Sequence, residues 1–508
     1  MKRMTAGKHV IAVLLSLLWG IVFCLDAGAW TNGQDAVAVI GQPDFVSSGA
    51  GTGTAGLHAP YDVAVDTAHG KLYVADGANH RVLRYAYPLT GNQPNAELVF
   101  GQPDFLGGAA GTSRNTFNNI RGLAVDGTGR LWVSEFTNNR VVWFNSAYAI
   151  ATNQPNASGV LGQPDFFSTG ASAAQNGMHS PYGLAIDGTG SLYVADAGNN
   201  RVLRFDNASG KTNGANADGV LGQPDFFSNT AAIARNRMNT PRGVAVAGSS
   251  LFVADRNAAR VLRFDNAAGK ANGADAEGVL GQSDFFSGVQ SLSQSGMEYP
   301  GRLAADTLGR LYVSDGFNFD RVVIFHNAVN RPNGANADFV LGQADFVSAG
   351  AGLAQNRISL DSSAGGMAVD DLNHILILAD FGNNRVLLFQ DPSPPVVSIS
   401  GNAGAPGVML SYDDGGQKTT MADGNGNYSL SVPFNWSGSV TPSLWGYTFT
   451  PTSRTYRDTT ADQAGQDFAA SSIPPVRVPA VSGWGMVLFA VFSGAGAVHH
   501  LRRRLAKR

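Results

Sequence analysis

The chain has 508 residues, of which only 14% are charged, and its formal net charge is −3. This balance argues against a basic nucleic-acid-binding surface, and we expect no nucleic-acid partner. The 63 glycines, with many Asn, Asp and Ser residues, are typical of a chain with many tight turns and short strands. The length allows two or three domains.

The first 29 residues have the pattern of a secretory signal peptide. A basic start precedes an apolar run from Val10 to Leu25, and the small residues Ala27-Gly28-Ala29 follow. We therefore predict cleavage after Ala29. A lipoprotein cut before Cys24 is the alternative, which the bulky Phe23 disfavours. Because Cys24 is the single cysteine, the mature chain would have neither a disulfide nor a cysteine-ligated metal.

A nine-residue phrase, VLGQPDFFS in two of its copies, occurs six times along the chain. Successive copies are 60, 61, 60, 59 and 61 residues apart, measured between the glycines Gly41, Gly101, Gly162, Gly222, Gly281 and Gly342. A fixed period of this length indicates stacked copies of one supersecondary unit, none of which buries its apolar face alone.

Each period contains four short predicted strands. In the third copy they are YGLAID at 182–187, SLYVAD at 191–196, RVLRF at 201–205 and GVLGQPDF at 219–226, separated by turn-forming residues. Four strands per period without helical periodicity are typical of a propeller blade. The six three-strand cores are expected to begin near Pro60, Ile120, Pro181, Pro241, Pro300 and Gly365.

The two ends of the repeat region complement each other. The sixth core ends at Phe389 without a fourth strand, whereas AVAVIGQPDF at 36–45 is a fourth strand without a core. We predict that the N-terminal strand completes the last blade, which hides the two edges of an open sheet. The predicted fold class is all-β, with a six-bladed β-propeller over residues 30–390.

The unit PYGLAIDGTGSLYVADAGNNRVLRF resembles the NHL repeat, and the match recurs over residues 36–390. Blade 4 departs from the pattern at Ala247, and blade 5 has one extra residue before Arg321. We interpret the repeated phrase as scaffold, together with the recurrent acid–arginine pairs Asp76/Arg81, Glu135/Arg140, Asp196/Arg201, Asp255/Arg260, Asp315/Arg321 and Asp380/Arg385.

Two further segments follow the predicted propeller. Residues 391–397 are a proline-rich linker, and residues 398–470 are again rich in short strands and turns. The stretches TTMADGNGNYSLSVP and GYTFTPTSRTYRDTTADQAGQDF resemble the carboxypeptidase-regulatory-like β-sandwich, which implies a small stalk domain. We expect DGNGN at 423–427 to be a hairpin turn, because it lacks the downstream glutamate of a calcium loop.

The C-terminal segment at 471–508 carries VPAVSGWG, an apolar run from Trp484 to Val498 and a basic end. The run is short for a permanent membrane span of ~20 residues, and its basic end is expected to stay cytoplasmic. The pattern resembles the IPTL-type sorting signal of Gram-negative bacteria. That resemblance implies export, transient residence in the inner membrane, cleavage by a sorting protease, and delivery to the envelope, surface or matrix. An ordinary tail anchor is the alternative.

Candidate ligand-binding residues lie where each long inter-blade loop leads into the innermost strand. His58, His179 and Glu298 occupy one register position in blades 1, 3 and 5, and alternate blades of a six-fold ring form a triangle. Two histidines and one carboxylate are a known metal-ligand set, so these residues are a candidate site for a divalent metal such as zinc.

A second register position, three residues further on, carries Tyr61, Arg121, Tyr182 and Arg242. In an enzyme these side chains would act as base and charge stabiliser. In a binding module they would form, with the first three residues, a polar rim for a carbohydrate, peptide or protein. If the rim has only a structural role, all seven side chains would simply form hydrogen bonds with nearby backbone groups.

Two enzyme families offer a partial resemblance at this rim. LHAPYDVAVD and MHSPYGLAID resemble the placement of zinc-binding histidines in the propeller of peptide-amidating lyases, but Glu298 stands where a third histidine is expected. A gluconolactonase-type site is disfavoured, because the inner-strand aspartates are turn formers at the opposite face. We therefore predict an exported binding or interaction module, for which the sequence requires no reaction and no cofactor. A metal-dependent lyase or hydrolase is the alternative.

Overall fold

The structure is a computed structural model, and it describes residues 30–360, 365–391, 396–414, 417–433, 436–459 and 461–474. The predicted signal peptide and the predicted sorting signal from residue 475 onward lie outside this part of the chain. The chain divides into two compact units between Ser393 and Pro394. No helix in the described ranges is long and apolar enough to cross a bilayer.

The first unit contains six four-stranded antiparallel sheets, which are the blades. After β1 (Ala38–Ile40), blades 1 to 3 comprise β2 (Pro60–Asp66), β3 (Lys71–Asp76), β4 (Arg81–Ala86) and β5 (Leu98–Phe100); β6 (Ile120–Val125), β7 (Leu131–Glu135), β8 (Arg140–Phe144) and β9 (Gly159–Leu161); β10 (Pro181–Ile186), β11 (Leu192–Asp196), β12 (Arg201–Phe205) and β13 (Gly219–Leu221). Blades 4 to 6 comprise β14 (Pro241–Ala247), β15 (Ser250–Asp255), β16 (Arg260–Phe264) and β17 (Gly278–Leu280); β18 (Pro300–Ala305), β19 (Leu311–Asp315), β20 (Arg321–Phe325) and β21 (Phe339–Leu341); β22 (Met367–Asp370), β23 (Ile375–Asp380) and β24 (Arg385–Gln390).

The N-terminal strand closes the ring. β1 pairs antiparallel with β24, so that Ala38 lies opposite Leu388 and Ile40 opposite Val386, and blade 6 has the order β22, β23, β24, β1. The first strands of neighbouring blades contact one another in a closed circuit through β2, β6, β10, β14, β18 and β22. The predicted all-β propeller, with its N-terminal strand in the last blade, is therefore confirmed.

The core of the propeller lies between the blades. In the described residues, each pair of neighbouring blades encloses one apolar cluster, six in all. Between blades 1 and 2, the rings of Phe100 and Phe144 pack edge to face with centroids 5.0 Å apart. Burial of each large side chain contributes about 1.5–3 kcal/mol. Every blade thus depends on its neighbours for stability.

Short 3₁₀ turns are the helical segments of the described residues. Four connect the second and third strands of a blade, at Gly77–Asn79, Ala197–Asn199, Arg256–Ala258 and Phe381–Asn383. Four others follow a third strand, at Ala147–Ala149, Ala208–Gly210, Ala267–Gly269 and Ala328–Asn330. These turns hold the chain reversals close to the sheet edges.

The repeated phrase links the last strand of each blade to the next blade. Its glycine has a φ of +82° to +89° in all six copies, which favours glycine. A Cβ on Gly162 would also lie 2.7 Å from the buried Met178 sulfur. The next residue, Gln163, donates from Nε2 to the Asn139 and Gly170 carbonyls, at 2.9 Å each. The phrase is a scaffold element, as predicted, because its polar atoms bond the backbone.

The acid–arginine pair joins the second and third strands of every blade. In blade 3, Arg201 Nε lies 2.7 Å from Asp196 Oδ2, and both side chains are fully buried. Arg201 also donates to the Phe226 carbonyl of the phrase. Asp196 accepts from the His179 backbone N–H and from the Asn199 side chain, although burial still raises its pKa. The pairs are scaffold, as predicted, and their arginines are called the blade arginines: Arg81, Arg140, Arg201, Arg260, Arg321 and Arg385.

The second unit contains eight strands in its described residues: β25 (Val396–Asn402), β26 (Met409–Asp413), β27 (Gln417–Met421), β28 (Asn427–Pro433), β29 (Trp436–Ser443), β30 (Tyr447–Thr450), β31 (Arg454–Thr459) and β32 (Ala469–Ser472). β25 pairs with β28, β30 pairs with β32, and β27, β26, β29 and β31 form one sheet. Trp436, Tyr456 and Phe468 belong to its apolar core.

The DGNGN segment of the second unit is a tight turn. Asp423 Oδ1 accepts from the backbone N–H groups of Asn425 and Asn427, both at 2.8 Å. The predicted hairpin is wrong, however, because β27 and β28 on either side of the turn belong to different sheets. The relation of this unit to the carboxypeptidase-regulatory-like family stays a prediction.

Candidate functional site at the channel mouth

The first strands of the six blades surround a central channel. They begin at the face that carries the inter-blade loops and the turns between second and third strands, and this end of the channel is called the mouth. The second register position of the first strands carries Tyr61, Arg121, Tyr182, Arg242, Gly301 and Gly365, and the third carries Asp62, Gly122, Gly183, Gly243, Arg302 and Gly366.

The three predicted metal ligands do not come together. His58 and His179 are exposed, and the His179 ring lies over Gly198 of its own blade. Glu298 is buried, where it accepts from the Asn318 side chain at 2.6 Å and the Asn318 backbone N–H at 3.0 Å. Within the described ranges, no three His, Cys, Asp or Glu side chains are grouped to hold a metal ion. The predicted ligand set is thus not assembled.

The position that His58, His179 and Glu298 occupy has the same structural role in each blade, and its backbone N–H group performs that role. The N–H groups of His58, His179 and Glu298 donate to the carboxylate of the acid–arginine pair in their own blade, at 2.6, 2.6 and 2.8 Å. The backbone contact leaves the side chain at this position free to vary between blades. The triangle predicted from the register is therefore a wrong inference about side-chain direction.

The predicted tyrosine and arginine residues of the rim do come together. The Arg121 guanidinium carbon lies 3.6 Å from the centre of the Tyr61 ring and 5.6 Å from that of Tyr182. Arg242 lies 4.3 Å from the Tyr182 ring centre. Cation–π contacts of this kind are worth about 0.5–2 kcal/mol. Blades 1 to 4 thus form one continuous rim of alternating tyrosine and arginine.

Two phenylalanines extend this rim outward. Phe381 packs on Tyr61 with ring centroids 4.8 Å apart, and Phe136 packs edge to face on Tyr182 at 5.3 Å. Both follow the carboxylate that ends a second strand, and this position was not among the predicted site residues. The sequence could have revealed this position, because its residue type differs between blades. It is Phe in two blades and a small residue or Arg in the other four.

A third arginine, Arg302, closes the channel below the rim. Its side chain is only 2% exposed, and its Nη2 donates to the Arg121 carbonyl on the opposite side of the ring. Sequence reasoning missed this residue. The detectable signal is an exchange within blade 5, where Gly301 stands at the register position of Tyr182 and Arg302 at that of Gly183.

Glycines provide the space that Arg302 occupies. Gly122, Gly183 and Gly243 hold the third register position in blades 2 to 4. A Cβ on Gly183 would lie 2.5 Å from the Arg242 carbonyl oxygen and 3.2 Å from Arg302 Nη1. A side chain at this position would therefore displace the arginine.

The guanidinium groups at the mouth have unused donors. In Arg121, Arg242 and Arg302, which are called the channel arginines, both Nε and Nη1 are buried without a hydrogen-bond partner. Burial lowers the pKa of Arg242 to about 10, and the charges of Arg256, Arg302 and Arg121 act in the same direction. Burial likewise lowers the pKa of Arg302. With a pKa of about 10, Arg242 remains cationic at neutral pH.

Asp62 is the carboxylate nearest to this cluster. Its Oδ2 lies 4.0 Å from Arg302 Nη1 and accepts from the Leu123 backbone N–H at 2.9 Å, while Oδ1 accepts from the Val63 N–H at 3.0 Å. Burial raises the pKa of Asp62 to about 6, against the opposing effects of Arg302 and these two donors. Asp62 is therefore an incomplete counterion for the channel arginines.

Blade 5 contributes an aromatic wall beside the rim. Phe317 lies in the turn between β19 and β20, which has the extra residue, and its ring packs edge to face on Tyr299 at 5.8 Å. The Arg256 guanidinium carbon lies 4.2 Å from the centre of the Tyr299 ring. Phe317 is 58% exposed and has a φ of +72°, a conformation that costs a bulky residue about 1–2 kcal/mol. This loop presents an apolar ring to solvent at the mouth face.

Comparison with known families identifies part of the repeat region. The family model described as the NHL repeat matches residues 117–144 and 178–205, which include the first three strands of blades 2 and 3. No curated protein matches the chain. The resemblance inferred from the repeat unit is thus borne out for two of its six copies.

Several solved structures are similar to this chain at low identity. The structure of streptogramin B lyase has a TM-score of 0.36 at 10% identity, covering 67% of this chain and 96% of that one. A functionally unknown protein from Desulfotomaculum acetoxidans has a TM-score of 0.39 at 12% identity, covering 66% and 84%. A gluconolactonase from Xanthomonas campestris has a TM-score of 0.36 at 15% identity, covering 65% and 86%.

These similarities are too weak to transfer an activity, since every TM-score is below 0.5 and every identity is below 25%. The repeat match and the closed ring of four-stranded antiparallel sheets agree with each other. The chain contains NHL repeats and has an all-β propeller fold.

Proposed function

We propose that this chain is an exported interaction module whose propeller binds a ligand or a protein at the channel mouth. The observation that carries the proposal is the convergence of Tyr61, Arg121, Tyr182 and Arg242 on one rim, with Arg302 closing the channel beneath them. Because Arg302 closes the channel, a ligand that contacts these side chains would be held at the mouth and would not enter the channel. No observation in the described residues favours the metal-dependent lyase or hydrolase over binding.

Export to the envelope, surface or matrix of a Gram-negative bacterium is part of the proposal. It is supported by the basic start, apolar run and small residues of positions 1–29, and by the VPAVSGWG tail with its apolar run and basic end. Transient contact with the inner membrane and a sorting protease follows from the same tail. The partner at the mouth is a carbohydrate, a peptide or a protein.

The proposal is tested with two exposed phenylalanines of the propeller. Phe317 lies at the mouth, whereas Phe227 lies in the repeated phrase and is 74% exposed. The full chain and the variants Phe317→Ala and Phe227→Ala are applied to one array of immobilised glycans and peptides. We expect at least one probe to retain the full chain and Phe227→Ala but to lose Phe317→Ala. Retention of no probe, or equal loss in both variants, would overturn mouth binding.

A further inference from the structure

The polar groups at the mouth point to a class of ligand. We propose that the ligand presents an oxyanion, as a carboxylate or a phosphoryl group, to the channel arginines Arg121, Arg242 and Arg302. The inference rests on the proposed function, because it names the ligand chemistry of the same site.

The first argument is charge. Three guanidinium groups meet at the mouth, and among the described residues only Asp62 places a carboxylate within 4.0 Å of any of them. Burial raises the pKa of that carboxyl to about 6, so it takes up a proton, and loses its negative charge, already in mildly acidic solution. The site therefore carries an excess of positive charge, which an anionic ligand would neutralise.

The second argument is the unused donors. Nε and Nη1 of each channel arginine are buried and lack a hydrogen-bond partner, although buried polar groups in native proteins are almost always paired. Arg302 is 2% exposed, so water at the surface does not reach it freely. Oxyanions accept several N–H bonds at once and bind guanidinium groups more strongly than neutral acceptors do.

The third argument is the stacking of the arginines. The Arg121 guanidinium carbon lies 3.6 Å from the Tyr61 ring centre, a separation at which we infer that the two planes stack face to face. A face contact leaves the N–H groups, which lie in the guanidinium plane, available to a ligand. The tyrosines thus orient the arginines without consuming their donors, and Tyr182 does the same for Arg242 at 4.3 Å.

The dimensions of the channel set the direction of approach. The cavity beneath Arg302, lined by Asp62, Leu184 and Met367 among others, has a volume of about 30 Å³. A cavity of that size has room for about one or two water molecules. The oxyanion therefore contacts the channel arginines from the mouth side, and the rest of the ligand extends toward the rings of blade 5.

The test uses four hexoses that share one ring and differ in charge. The full chain is titrated calorimetrically with glucose, glucosamine, glucuronate and glucose 6-phosphate. We expect glucuronate or glucose 6-phosphate to bind at least tenfold more tightly than glucose and glucosamine, and to weaken as NaCl is raised. The preference between the two anions distinguishes a carboxylate from a phosphoryl group.

Matched arginine variants locate the binding. Arg242→Gln and Arg121→Gln are each expected to lower the affinity for the preferred anion at least tenfold. Arg130→Gln, at the opposite end of a blade 2 hairpin and similarly half-buried, is expected to leave the affinity unchanged. Circular dichroism shows whether each variant is folded. If one of the two mouth variants misfolds, the other still tests the inference.

Three results would overturn the inference: equal binding of neutral and anionic hexoses, no binding of either anion, or anion binding that survives both mouth substitutions. Its failure is distinguishable from failure of the proposed function. If an array probe depends on Phe317 while neither anion binds, the mouth binds a ligand of other chemistry. If neither experiment places a ligand at the mouth, both proposals fail.

Discussion

The blade arginines and the channel arginines differ in how their guanidinium groups are satisfied. Each blade arginine forms a buried ion pair with the acid of its own blade and donates to backbone carbonyls of the repeated phrase, as Arg201 does. Among the channel arginines, Arg302 is similarly enclosed and the other two are half-buried, yet each of the three retains two buried nitrogens without a hydrogen-bond partner. A buried guanidinium group whose N–H donors all have partners indicates a structural role. A buried guanidinium group with unpartnered N–H donors indicates that a ligand is missing.

The two sets also differ in symmetry. The blade arginines occur once in every blade, because each blade must hold its own second and third strands together. The channel arginines occur in blades 2, 4 and 5, and Arg302 occupies a different register position from the other two. In this propeller, repeated features form the scaffold, and departures from the repeat form the candidate site.

Removal of a blade arginine should have the largest effect on stability. We expect Arg201→Met to lower the free energy of unfolding of the propeller by about 3–5 kcal/mol, because it leaves the buried Asp196 without its counterion. The matched variant Arg242→Met should change that free energy by no more than about 2 kcal/mol, since it loses the cation–π contact with Tyr182 but its two buried nitrogens have no hydrogen bonds to lose. Urea titrations measure both, and equal losses would refute the distinction between the two sets.

The pH dependence of stability tests Asp62. Its folded pKa of about 6 lies above the value near 4 of an unfolded chain, so the folded state holds the extra proton between these pH values. Stability due to this group therefore falls as the pH rises from about 4 to about 6. Relative to Asp62→Asn, the unsubstituted chain should lose about 3 kcal/mol between pH 4 and pH 7.

Comparison of the two proteins at each pH removes the contributions of other acids. Burial also raises the pKa of Asp255 and of Asp320 to about 6, and both residues are present in both proteins. Urea titrations over this pH range give the difference directly. A difference that stays constant from pH 4 to pH 7 would contradict the raised pKa of Asp62.

The smallest predicted effect tests the contact between Arg302 and Asp62. Since the Arg302 charge opposes the rise in the pKa of Asp62, we expect Arg302→Met to raise that pKa further above 6. The loss of stability due to Asp62 should then continue to higher pH than in the unsubstituted chain. Urea titrations of Arg302→Met and of Arg302→Met/Asp62→Asn over the same pH range give the contribution of Asp62 to stability when Arg302 is absent. An unchanged midpoint would show that the two side chains are not coupled.

Prediction from the sequence succeeded where a feature was repeated. The glycine of the phrase and the acid–arginine pair each occur six times, so one local explanation accounts for all copies. The rim of Tyr61, Arg121, Tyr182 and Arg242 was also predictable, because the register of the first strands places these residues at one end of the channel.

Prediction failed where side-chain direction depended on a contact found in one blade. His58, His179 and Glu298 share a register position, but Glu298 is held by Asn318 of the longer blade 5 turn. Register equivalence specifies the backbone position, while the local partner specifies the direction of the side chain. The predicted metal-ligand set therefore did not form.

The sequence by itself determined the all-β propeller, its six blades and the closure of blade 6 by the N-terminal strand, because periodic apolar residues and turn glycines act within one blade or between neighbours. Only the tertiary structure decided that Arg302 closes the channel and meets Arg121, which is 181 residues away in the chain. That contact spans the ring between opposite blades, where the sequence has no period to indicate it. Its existence depends on the channel width and on the glycines that leave room for one long side chain.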